Sequence, residues 1–250
     1  PPTLETLGGN SFVGCSNLTT VQLPASMRSI GANAFASLKK LVSVTCKGNT
    51  KEITEPGLIG DQAFYDCYYL REMQIPEGIR AICYYSFGYN FALTSISLPT
   101  TLDSIGTHAF YGSRALQSVT IPAAVKHIEE NALQDCGSLQ LVQMLPSTPP
   151  TMIGSAISSS AIIEIPCDTK EAYISNDVWA SYTDKLVEKL LSNYRVQVSA
   201  QDPISGVVNV QSPDCDGDGA YTITAQPNYG YKFTQWQDGN TDNPRKVVLT

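Results

Sequence analysis

Apolar residues recur along the first three fifths of the chain with a fixed spacing of 23 residues. Prolines mark the start of most units, at Pro1, Pro24, Pro76, Pro99 and Pro122. The longer step after Pro24 equals two units plus six residues, which fall within the turn-rich stretch KGNTKEITEPG. A fixed period in the range of about 20–30 residues is typical of solenoids. The pattern therefore predicts six stacked units, one of which carries a loop insertion.

Within each unit, the apolar columns predict two short strands with a turn between them. The motif L-x-x-V-x-[LI]-P alternates with period two, which is typical of a strand that buries one face, and the proline ends it because proline has no N–H to donate. The motif V-x-x-I-G is interpreted as a second extended segment that ends at a glycine. Between them, A-F-x-x-C-x-x-L predicts one turn of helix with its apolar column inward: Phe12, Phe35, Phe64, Phe87, Phe110 and Leu133.

One unit is too small to bury its own apolar side chains, so we expect successive units to share one continuous core. Equivalent strands of adjacent units would then pair in parallel, about 4.8 Å apart.

The unit P-x-x-[LVM]-x-x-I-G-x-x-A-F-x-x-C-x-x-L-x-x-V-x-[LI] resembles the leucine-rich repeats of bacterial BspA-like surface proteins over about residues 1–165. The departures affect single positions: Leu38, Asn90 and Ser113 for the cysteine, Leu133 for the phenylalanine, and Cys83 and Glu129 for the glycine. The resemblance implies a right-handed parallel solenoid of leucine-rich repeats with short helical or 3-10 turns. It also implies adhesion, since BspA-like proteins are associated with binding host matrix proteins and with coaggregation.

Beyond Met144 the pattern decays, and A-I-I-E-I-P predicts a degenerate last strand. Residues 166–183 are expected to cap the open core, because Asp168 and Glu171 have the spacing of a capping box and Val178, Trp179 and Tyr182 supply large apolar groups. BspA-like arrays often close with a similar stretch. Residues 184–193 are interpreted as a short amphipathic linker. The solenoid with its cap is therefore assigned to residues 1–193.

Residues 194–250 have a different composition, with five strand-like runs separated by Gly, Pro, Asn and Asp: YRVQVSA, GVVNVQS, AYTITAQP, YKFTQW and RKVVLT. These runs predict a small all-β domain. The stretch from Tyr221 through Trp236 to Arg245 resembles the bacterial surface modules of the InlB B-repeat and Ig-like stalk families. That resemblance implies a spacer role, with the last strand of the module missing.

Charge and motifs narrow the class of function. A net charge of −7 and a pI near 4.8 argue against nucleic-acid binding, which needs basic stripes. No run of 18 apolar residues predicts a membrane span. His108 and His127 both occupy variable columns that we expect to face solvent, and no hydrolase, phosphate-loop or zinc-protease motif occurs. An enzyme is therefore the least expected class.

Seven cysteines raise the question of disulfides. Cys15, Cys67 and Cys136 share one column in units one, three and six, so they would lie roughly 10 and 14 Å apart, too far for a bridge. We interpret them as small buried apolar residues. The others lie in unrelated contexts, without a C-x-x-C motif, and are also expected to be structural thiols, with a disulfide or metal role as the alternative: Cys46, Cys83, Cys167 and Cys215.

The run Asp214-Cys215-Asp216-Gly217-Asp218-Gly219 has the D-x-D-x-D-G start of an EF-hand-like loop. Alternating carboxylates of Asp214, Asp216 and Asp218 could converge on one Ca²⁺ ion. Against this, Ala225 occupies the twelfth position, where such loops place a bidentate glutamate. The alternative is an acidic turn between two strands, since Asp-Gly favours tight turns. Apart from this calcium hypothesis, no cofactor is expected.

Aromatic side chains crowd into units three and four, in variable columns that we expect to be exposed: Tyr65, Tyr68, Tyr69, Tyr84, Tyr85, Tyr89 and Phe91. Tyr68 and Phe91 share a column in adjacent units, so they should stack. Exposed aromatic patches commonly mark protein-binding surfaces, and aromatic rings also suit glycans. The alternative is that the inserted loop packs against this patch.

The outward positions of the longer strands form a second candidate surface: Gln22, Thr45, Gln74, Ser97, Thr120 and Gln143. A polar, uncharged and regularly spaced face suits an extended protein ligand. It equally suits a sheet that is merely soluble.

Together these features favour a non-catalytic adhesion protein, outside the cell at a bacterial surface, which presents its solenoid to a host extracellular matrix or cell-surface protein or to other cells. Two alternatives remain open: a carbohydrate-binding module of a glycan-uptake system, and a structural stalk or assembly protein.

Overall fold

The computed structural model describes residues 3–46, 56–191, 200, 205–217 and 219–248. The chain divides into two units. The first comprises Pro1–Ile165 and Thr169–Val187, and the second comprises Pro166–Asp168 and Glu188–Thr250. The first unit is a parallel solenoid, and the second contains an antiparallel sheet.

The two strand columns of the solenoid form separate ladders. The short strands build one seven-stranded sheet: β1 (Thr6–Leu7), β3 (Ser29–Ile30), β5 (Gly57–Ile59), β7 (Ile79–Ile82), β9 (Ser104–Ile105), β11 (His127–Ile128) and β13 (Thr151–Met152). The longer strands build a first four-stranded sheet: β2 (Thr20–Leu23), β4 (Ser43–Cys46), β6 (Glu72–Gln74) and β8 (Ser95–Ser97). They continue in a second: β10 (Ser118–Ile121), β12 (Leu141–Met144), β14 (Ile162–Pro166) and β15 (Leu186–Lys189).

The register of these strands follows the repeat. Val21 pairs with Val44, and Val119 pairs with Val142, in parallel. The predicted degenerate last strand is confirmed, because Ile163 of β14 pairs with Val142. The predicted parallel solenoid is therefore confirmed.

Stacked phenylalanine rings form the centre of the core. Successive ring centroids from Phe12 to Phe110 lie 4.7, 4.9, 5.2 and 5.3 Å apart, with planes within 9° of parallel. Leu133 continues the column and is fully buried. The spacing of the rings matches the distance between hydrogen-bonded strands.

The segment between the two strands is a succession of turns, where the sequence predicted one turn of helix. One column there has positive φ throughout: Asn10, Asn33, Gln62, Tyr85, His108 and Asn131. A residue in this conformation cannot continue a right-handed helix. Backbone hydrogen bonds instead join neighbouring coils, from Phe35 N–H to the Ala63 carbonyl at 2.7 Å and from Phe87 N–H to the Ala109 carbonyl at 2.8 Å.

The glycine that ends the short strand is required by close approach of the backbone in three coils, at Gly31, Gly60 and Gly106. A Cβ atom on Gly31 would lie 2.5 Å from Gly9 N, and one on Gly106 would lie 2.8 Å from the Ile82 carbonyl oxygen. Only glycine avoids these contacts without a shift of the coils. Cys83 and Glu129 occupy the same column in other coils.

The predicted cap is confirmed. Trp179 and Tyr173 are fully buried against the core of the solenoid, and Tyr182 is nearly so. The Trp179 indole donates to the Pro150 carbonyl at 2.7 Å, and the Tyr173 hydroxyl donates to the Pro146 carbonyl at 2.7 Å. The polar atoms of the cap are therefore satisfied while its rings close the core.

Two local predictions near the cap are wrong. A short helix does begin at this spacing, as the sequence predicts, and is α1 (Lys170–Ile174). It starts after Thr169, however, and Asp168 has a φ of 61° and lies outside it, so Asp168 does not form a capping box with Glu171. A 3-10 helix follows over Trp179–Lys185. The supposed linker then includes strand β15, which adds to the sheet of β10, β12 and β14.

The second unit contains a three-stranded antiparallel sheet of β16 (Gly206–Gln211), β17 (Ala220–Pro227) and β18 (Arg245–Val248). Three of the predicted runs are these strands, and most of YRVQVSA lies outside the described residues. The run YKFTQW is irregular, contrary to prediction. Its Phe233 instead packs on Trp236, whose indole donates to the Asp242 carbonyl at 2.7 Å.

Cys167 and Cys215 form a disulfide with a Cα–Cα distance of 5.8 Å. The prediction of a structural thiol at both positions is wrong. Cys167 follows β14 and Cys215 lies in the loop between β16 and β17, 48 residues later. The 23-residue register relates only cysteines within the repeats, so it carried no information on this pair.

The three cysteines that share a repeat column, Cys15, Cys67 and Cys136, differ in burial. Cys67 and Cys136 are buried as predicted, and their thiols donate to the carbonyls of Phe35 and Phe110 in the preceding coils, at 3.0 and 3.4 Å. Burial raises the pKa of both thiols to about 12. Cys15 is exposed, contrary to prediction.

Candidate binding surface

The turns of coils three to five carry a continuous group of aromatic side chains, which we call the aromatic surface. It comprises the seven predicted residues and two that sequence reasoning missed: Tyr65, Tyr68, Tyr69, Tyr84, Tyr85, Tyr89, Phe91, His108 and Tyr111. Every ring in it lies within 6.2 Å of another, centroid to centroid. His108 shares the column of Tyr85 one coil later, and Tyr111 shares the column of Tyr65 two coils later, so this register could have identified them.

Tyr85 lies at the centre of the aromatic surface. His108 stacks on it at 4.5 Å and 10°, and Tyr84 contacts it edge-on at 4.7 Å and 86°. Tyr65 makes edge contacts with Tyr85 at 5.8 Å and with Tyr89 at 5.6 Å. Edge-to-face contacts each add about 0.5–1.5 kcal/mol beyond area burial, so these rings hold one another in place.

Tyr68 and Phe91 lie side by side as their shared column predicts, but their rings meet at 62° rather than in parallel, with centroids 5.3 Å apart. Tyr69 contacts Tyr68 at 5.0 Å. The guanidinium of Arg114 lies over the Phe91 ring at 5.2 Å and pairs with Asp135 at 2.8 Å. This residue shares the column of Tyr68 and Phe91, and sequence reasoning also missed it.

The tyrosines of the aromatic surface differ in exposure. Tyr68, Tyr69 and Tyr84, which we call the rim, expose 43%, 53% and 46% of their area. Tyr65, Tyr85 and Tyr89, which we call the base, are only partly exposed. Burial, followed by the Tyr89 and Tyr84 phenols, raises the pKa of Tyr85 to about 12, and burial also raises the pKa of Tyr65. The phenols of Tyr65 and Tyr85 are therefore neutral at physiological pH.

The backbone beneath the aromatic surface is unfavourable for tyrosine. Tyr85 and Tyr89 have φ values of 48° and 58°. The same columns contain Asn33 and Asn131, or Gly112 and Asp135, in other coils, and Asn, Asp and Gly tolerate this region best. Two tyrosines in left-handed conformation within one coil cost of order 1–3 kcal/mol each. Residues that break a local rule are a common mark of a functional site.

The two histidines differ from each other. His127 is exposed, as predicted, and its Nδ1 lies 2.7 Å from the Thr151 hydroxyl. His108 does not simply face solvent, contrary to prediction, because it is half-buried under Tyr85. Its Nε2 accepts from the Asn131 amide at 3.2 Å, and its buried Nδ1 has no partner among the described residues.

The strand-face positions form a ladder in which side chains bond along the column. Gln22 pairs with Thr45, and Gln74 pairs with Ser97. The Thr120 hydroxyl donates to Gln143 Oε1 at 2.9 Å, and the Gln143 amide donates to Glu164 at 2.9 Å. Glu164 is buried, and the column extends to it because β14 continues the sheet. Sequence reasoning stopped at Gln143, although A-I-I-E-I-P already placed the glutamate one coil further. The ladder is polar, and its side chains bond to one another from Thr120 to Glu164.

The acidic run 214–217 lies in the loop between β16 and β17, and the Gly217 N–H closes a turn on the Asp214 carbonyl at 3.0 Å. Asp214 forms an ion pair with Lys189, and Asp218 lies outside the described residues. Within the described ranges, no three His, Cys, Asp or Glu side chains come together as a metal site. The calcium hypothesis stays a prediction.

The described residues also contain no helix of the length and apolarity that a membrane span requires.

Comparison with known proteins identifies both parts of the chain. Residues 1–56 and 57–184 match the BspA type leucine rich repeat region, in six copies, and residues 194–249 match the divergent InlB B-repeat domain. Both resemblances seen in the sequence are confirmed. A search of curated proteins finds no match.

Three solved structures are similar. A T. pallidum leucine rich repeat protein is 22% identical, with a TM-score of 0.51 over 74% of this chain and 90% of that one. A leucine-rich repeat protein from Bacteroides ovatus is 22% identical, with a TM-score of 0.44 over 63% of this chain and 47% of that one. A leucine rich cell surface protein from Faecalibacterium prausnitzii is 24% identical, with a TM-score of 0.40 over 65% of this chain and 59% of that one. This chain thus spans about half the length of the second protein and under two thirds of the third.

Both matched families are associated with bacterial surfaces, and leucine-rich repeat proteins are generally non-catalytic and typically bind proteins. The family suggests a binding or adhesion role. Because the repeat match extends over residues 1–184 and the fold repeats in the same register, this chain belongs to the BspA type leucine rich repeat family.

Proposed function

We propose that the chain is a non-catalytic adhesion protein of the bacterial cell surface that holds a protein partner, from a host extracellular matrix or from another cell, on the aromatic surface. The observation that carries this proposal is a rim of exposed tyrosines on a base of interlocked rings. Tyrosine is enriched at protein-binding hot spots because it supplies contact area at low cost in conformational entropy.

The framework of the rim is already ordered in the unbound chain. The base rings contact one another edge-on, and their backbones are fixed by hydrogen bonds between coils, such as Tyr85 N–H to the Thr107 carbonyl at 3.1 Å and Tyr89 N–H to the Tyr111 carbonyl at 2.7 Å. A partner therefore needs to order few groups when it docks. Such preorganisation lowers the entropic cost of binding.

The geometry favours a protein over a flat polysaccharide. Neighbouring rings of the aromatic surface cross at steep angles, 86° for Tyr84 on Tyr85 and 66° for Tyr68 on Tyr69. The surface is therefore contoured rather than planar. A contoured apolar surface accommodates individual side chains, whereas extended stacking of sugar rings needs parallel, coplanar platforms.

The extracellular assignment is supported by the second unit. The disulfide between Cys167 and Cys215 is of a kind that persists in oxidising compartments and is rare in the cytosol. Association of both families with bacterial surfaces points the same way.

The test is binding of the whole chain to immobilised fibronectin, fibrinogen, collagen and laminin, to intact bacterial cells, and to a glycan array. The triple variant Tyr68→Ser, Tyr69→Ser, Tyr84→Ser removes the rim and leaves the base intact. The matched control is Tyr229→Ser with Tyr231→Ser, which removes two exposed tyrosines of the second unit.

We expect saturable binding to at least one protein or cell, weakened at least about 100-fold by the triple variant, since loss of hot-spot side chains costs about 2 kcal/mol or more each. The control should bind as the wild type does. Binding that survives the triple variant would move the site to the strand face. Binding to glycans alone would favour the carbohydrate-binding alternative, and no binding at all would leave the stalk as the better hypothesis.

A further inference from the structure

Charged residues on the turns are segregated by sign into two bands that run along the solenoid. From the strand-ending glycine through the next six residues of each coil, every charged side chain is acidic: Asp61, Asp66, Glu129, Glu130 and Asp135. A second band comprises the four residues that follow the cysteine column in each coil. Every charged side chain in it is basic: Lys39, Lys40, Arg71 and Arg114. We call these the acidic band and the basic band.

The aromatic surface straddles both bands. Tyr84 and Tyr85 lie in the acidic band, which borders the seven-stranded sheet, while Tyr68 and Tyr69 lie in the basic band, which borders the four-stranded sheets. Two ion pairs join the bands: Lys39 with Asp66, and Arg114 with Asp135.

Of the charges outside these two pairs, Glu129 is only partly exposed and four are fully exposed. These are Asp61 and Glu130 in the acidic band and Lys40 and Arg71 in the basic band, and none of the four forms an ion pair within the described part of the chain. The Lys40 ammonium donates only to the neutral Asn17 amide oxygen at 2.8 Å, and Asp61 accepts only the Tyr84 N–H at 3.1 Å. These four side chains can therefore each take an oppositely charged partner from another molecule.

We infer that the partner of the aromatic surface is a second copy of this chain, docked through the same surface. This inference rests on the proposed function and names the partner, so that adhesion would be homotypic, between cells that carry this protein. The argument is one of charge complementarity under two-fold symmetry.

A two-fold axis parallel to the solenoid axis exchanges the two bands while it keeps each coil at its own height. The acidic band of one copy then faces the basic band of the other, and the aromatic surfaces meet between them. A two-fold axis across the solenoid would instead place like charges opposite each other, which is unfavourable. The sequence thus specifies one of the two face-to-face arrangements.

The heights of the charges also agree. Asp61 and Arg71 belong to the same coil, so each faces the other across the axis. Lys40 lies one coil before Asp61, a difference of about 4.8 Å along the solenoid, and a long lysine side chain reaches across that offset.

The experiment is sedimentation equilibrium of the whole chain with three charge variants. The first, Lys40→Glu with Arg71→Glu, makes all four of these exposed charges acidic. The second, Asp61→Lys with Glu130→Lys, makes all four basic. The third combines all four changes and exchanges the signs of these charges between the bands. Lys126→Glu with Lys185→Glu is the matched control, since it changes net charge as the first variant does at exposed sites outside the bands.

We expect the wild type and the control to form dimers that weaken as salt is raised. The first and second variants should each be monomeric alone, with dimerisation weakened at least about 10-fold, and should dimerise with each other when mixed. The third should dimerise alone, since the signs of these charges are exchanged. Restored association excludes a variant that merely fails to fold, and melting curves check this directly.

A wild type that stays monomeric to about 100 μM at low salt overturns the inference, since that limit corresponds to a binding free energy weaker than about −5.5 kcal/mol. Equal dimerisation of all variants overturns it as well. Neither result affects the proposed function, which fails only if the tyrosine triple variant binds as the wild type does or if no protein or cell is bound.

Discussion

Phe87→Ala removes an inner ring of the phenylalanine stack and is expected to destabilise the solenoid by about 3–5 kcal/mol. Phe87 is fully buried, and its ring lies 5.2 Å from that of Phe64 and 5.3 Å from that of Phe110. The cost combines lost burial, a cavity that the hydrogen-bonded coils cannot close, and two stacked pairs.

Position in the stack makes this prediction quantitative. Among the described rings Phe12 stacks on one, that of Phe35 at 4.7 Å, and it is only partly buried, so Phe12→Ala should cost about 1–2 kcal/mol. Phe87→Leu is the size control, because Leu133 occupies this column in coil six, and should cost no more than about 2 kcal/mol.

Urea unfolding followed by tryptophan fluorescence measures these values. Trp179 reports the solenoid, and a Trp236→Phe background removes the signal of the second unit. With an m value of about 3 kcal/mol/M, Phe87→Ala should lower the urea midpoint by about 1–1.7 M. Equal losses for Phe87→Ala and Phe12→Ala would refute the reasoning, because they would mean that stacking and burial do not determine the cost.

Three further outcomes follow from side chains outside the stack. Replacing Cys167 and Cys215 by Ser should destabilise the second unit by roughly 4 kcal/mol, from the chain entropy that the closed loop removes, as measured by Trp236 fluorescence in urea; unchanged unfolding would contradict this. At pH 8, iodoacetamide should label Cys15 rapidly and Cys67 scarcely at all in the native chain, because burial raises the pKa of Cys67 to about 12, and mass spectrometry of peptides after brief labelling measures the difference. The Arg245 ion pair lowers the pKa of Asp238 below 3.8. The pair therefore stabilises the second unit above that pH, and this stabilisation is lost as the pH falls through the folded-state pKa. Asp238→Asn should reduce this acid-induced loss, which thermal melts at successive pH values measure.

The repeat register predicted the solenoid because it is set by apolar side chains that must be buried in the core. Columns such as Phe35 and Leu41 have one physically sensible location, the shared core, and the prolines fix where each strand ends. The same register placed Tyr68 beside Phe91. His108 and Glu164 were missed because each lies in a predicted column, one coil beyond the last residue that was assigned to it.

The remaining errors have a different origin. Helical spacing at A-F-x-x-C is also compatible with a chain of turns, and only the left-handed conformation at residues such as Asn33 distinguishes the two. The pairing of Cys167 with Cys215 and the addition of β15 to a sheet depend on contacts between residues distant in sequence. No local pattern reports such contacts, whereas packing of the whole chain determines them.

The hydrogen bonds between coils have a consequence for how such a protein changes over generations. Because the backbone groups of one turn bond to the equivalent groups of its neighbour, as in Phe35 N–H to the Ala63 carbonyl, duplication or loss of one whole repeat in the gene leaves every remaining turn with an equivalent partner. Insertion of part of a repeat breaks that register unless the extra residues loop out, as the sequence predicts for the stretch KGNTKEITEPG, most of which lies outside the described residues. Array length can therefore vary in whole repeats, and the reach of the molecule can change without a new fold.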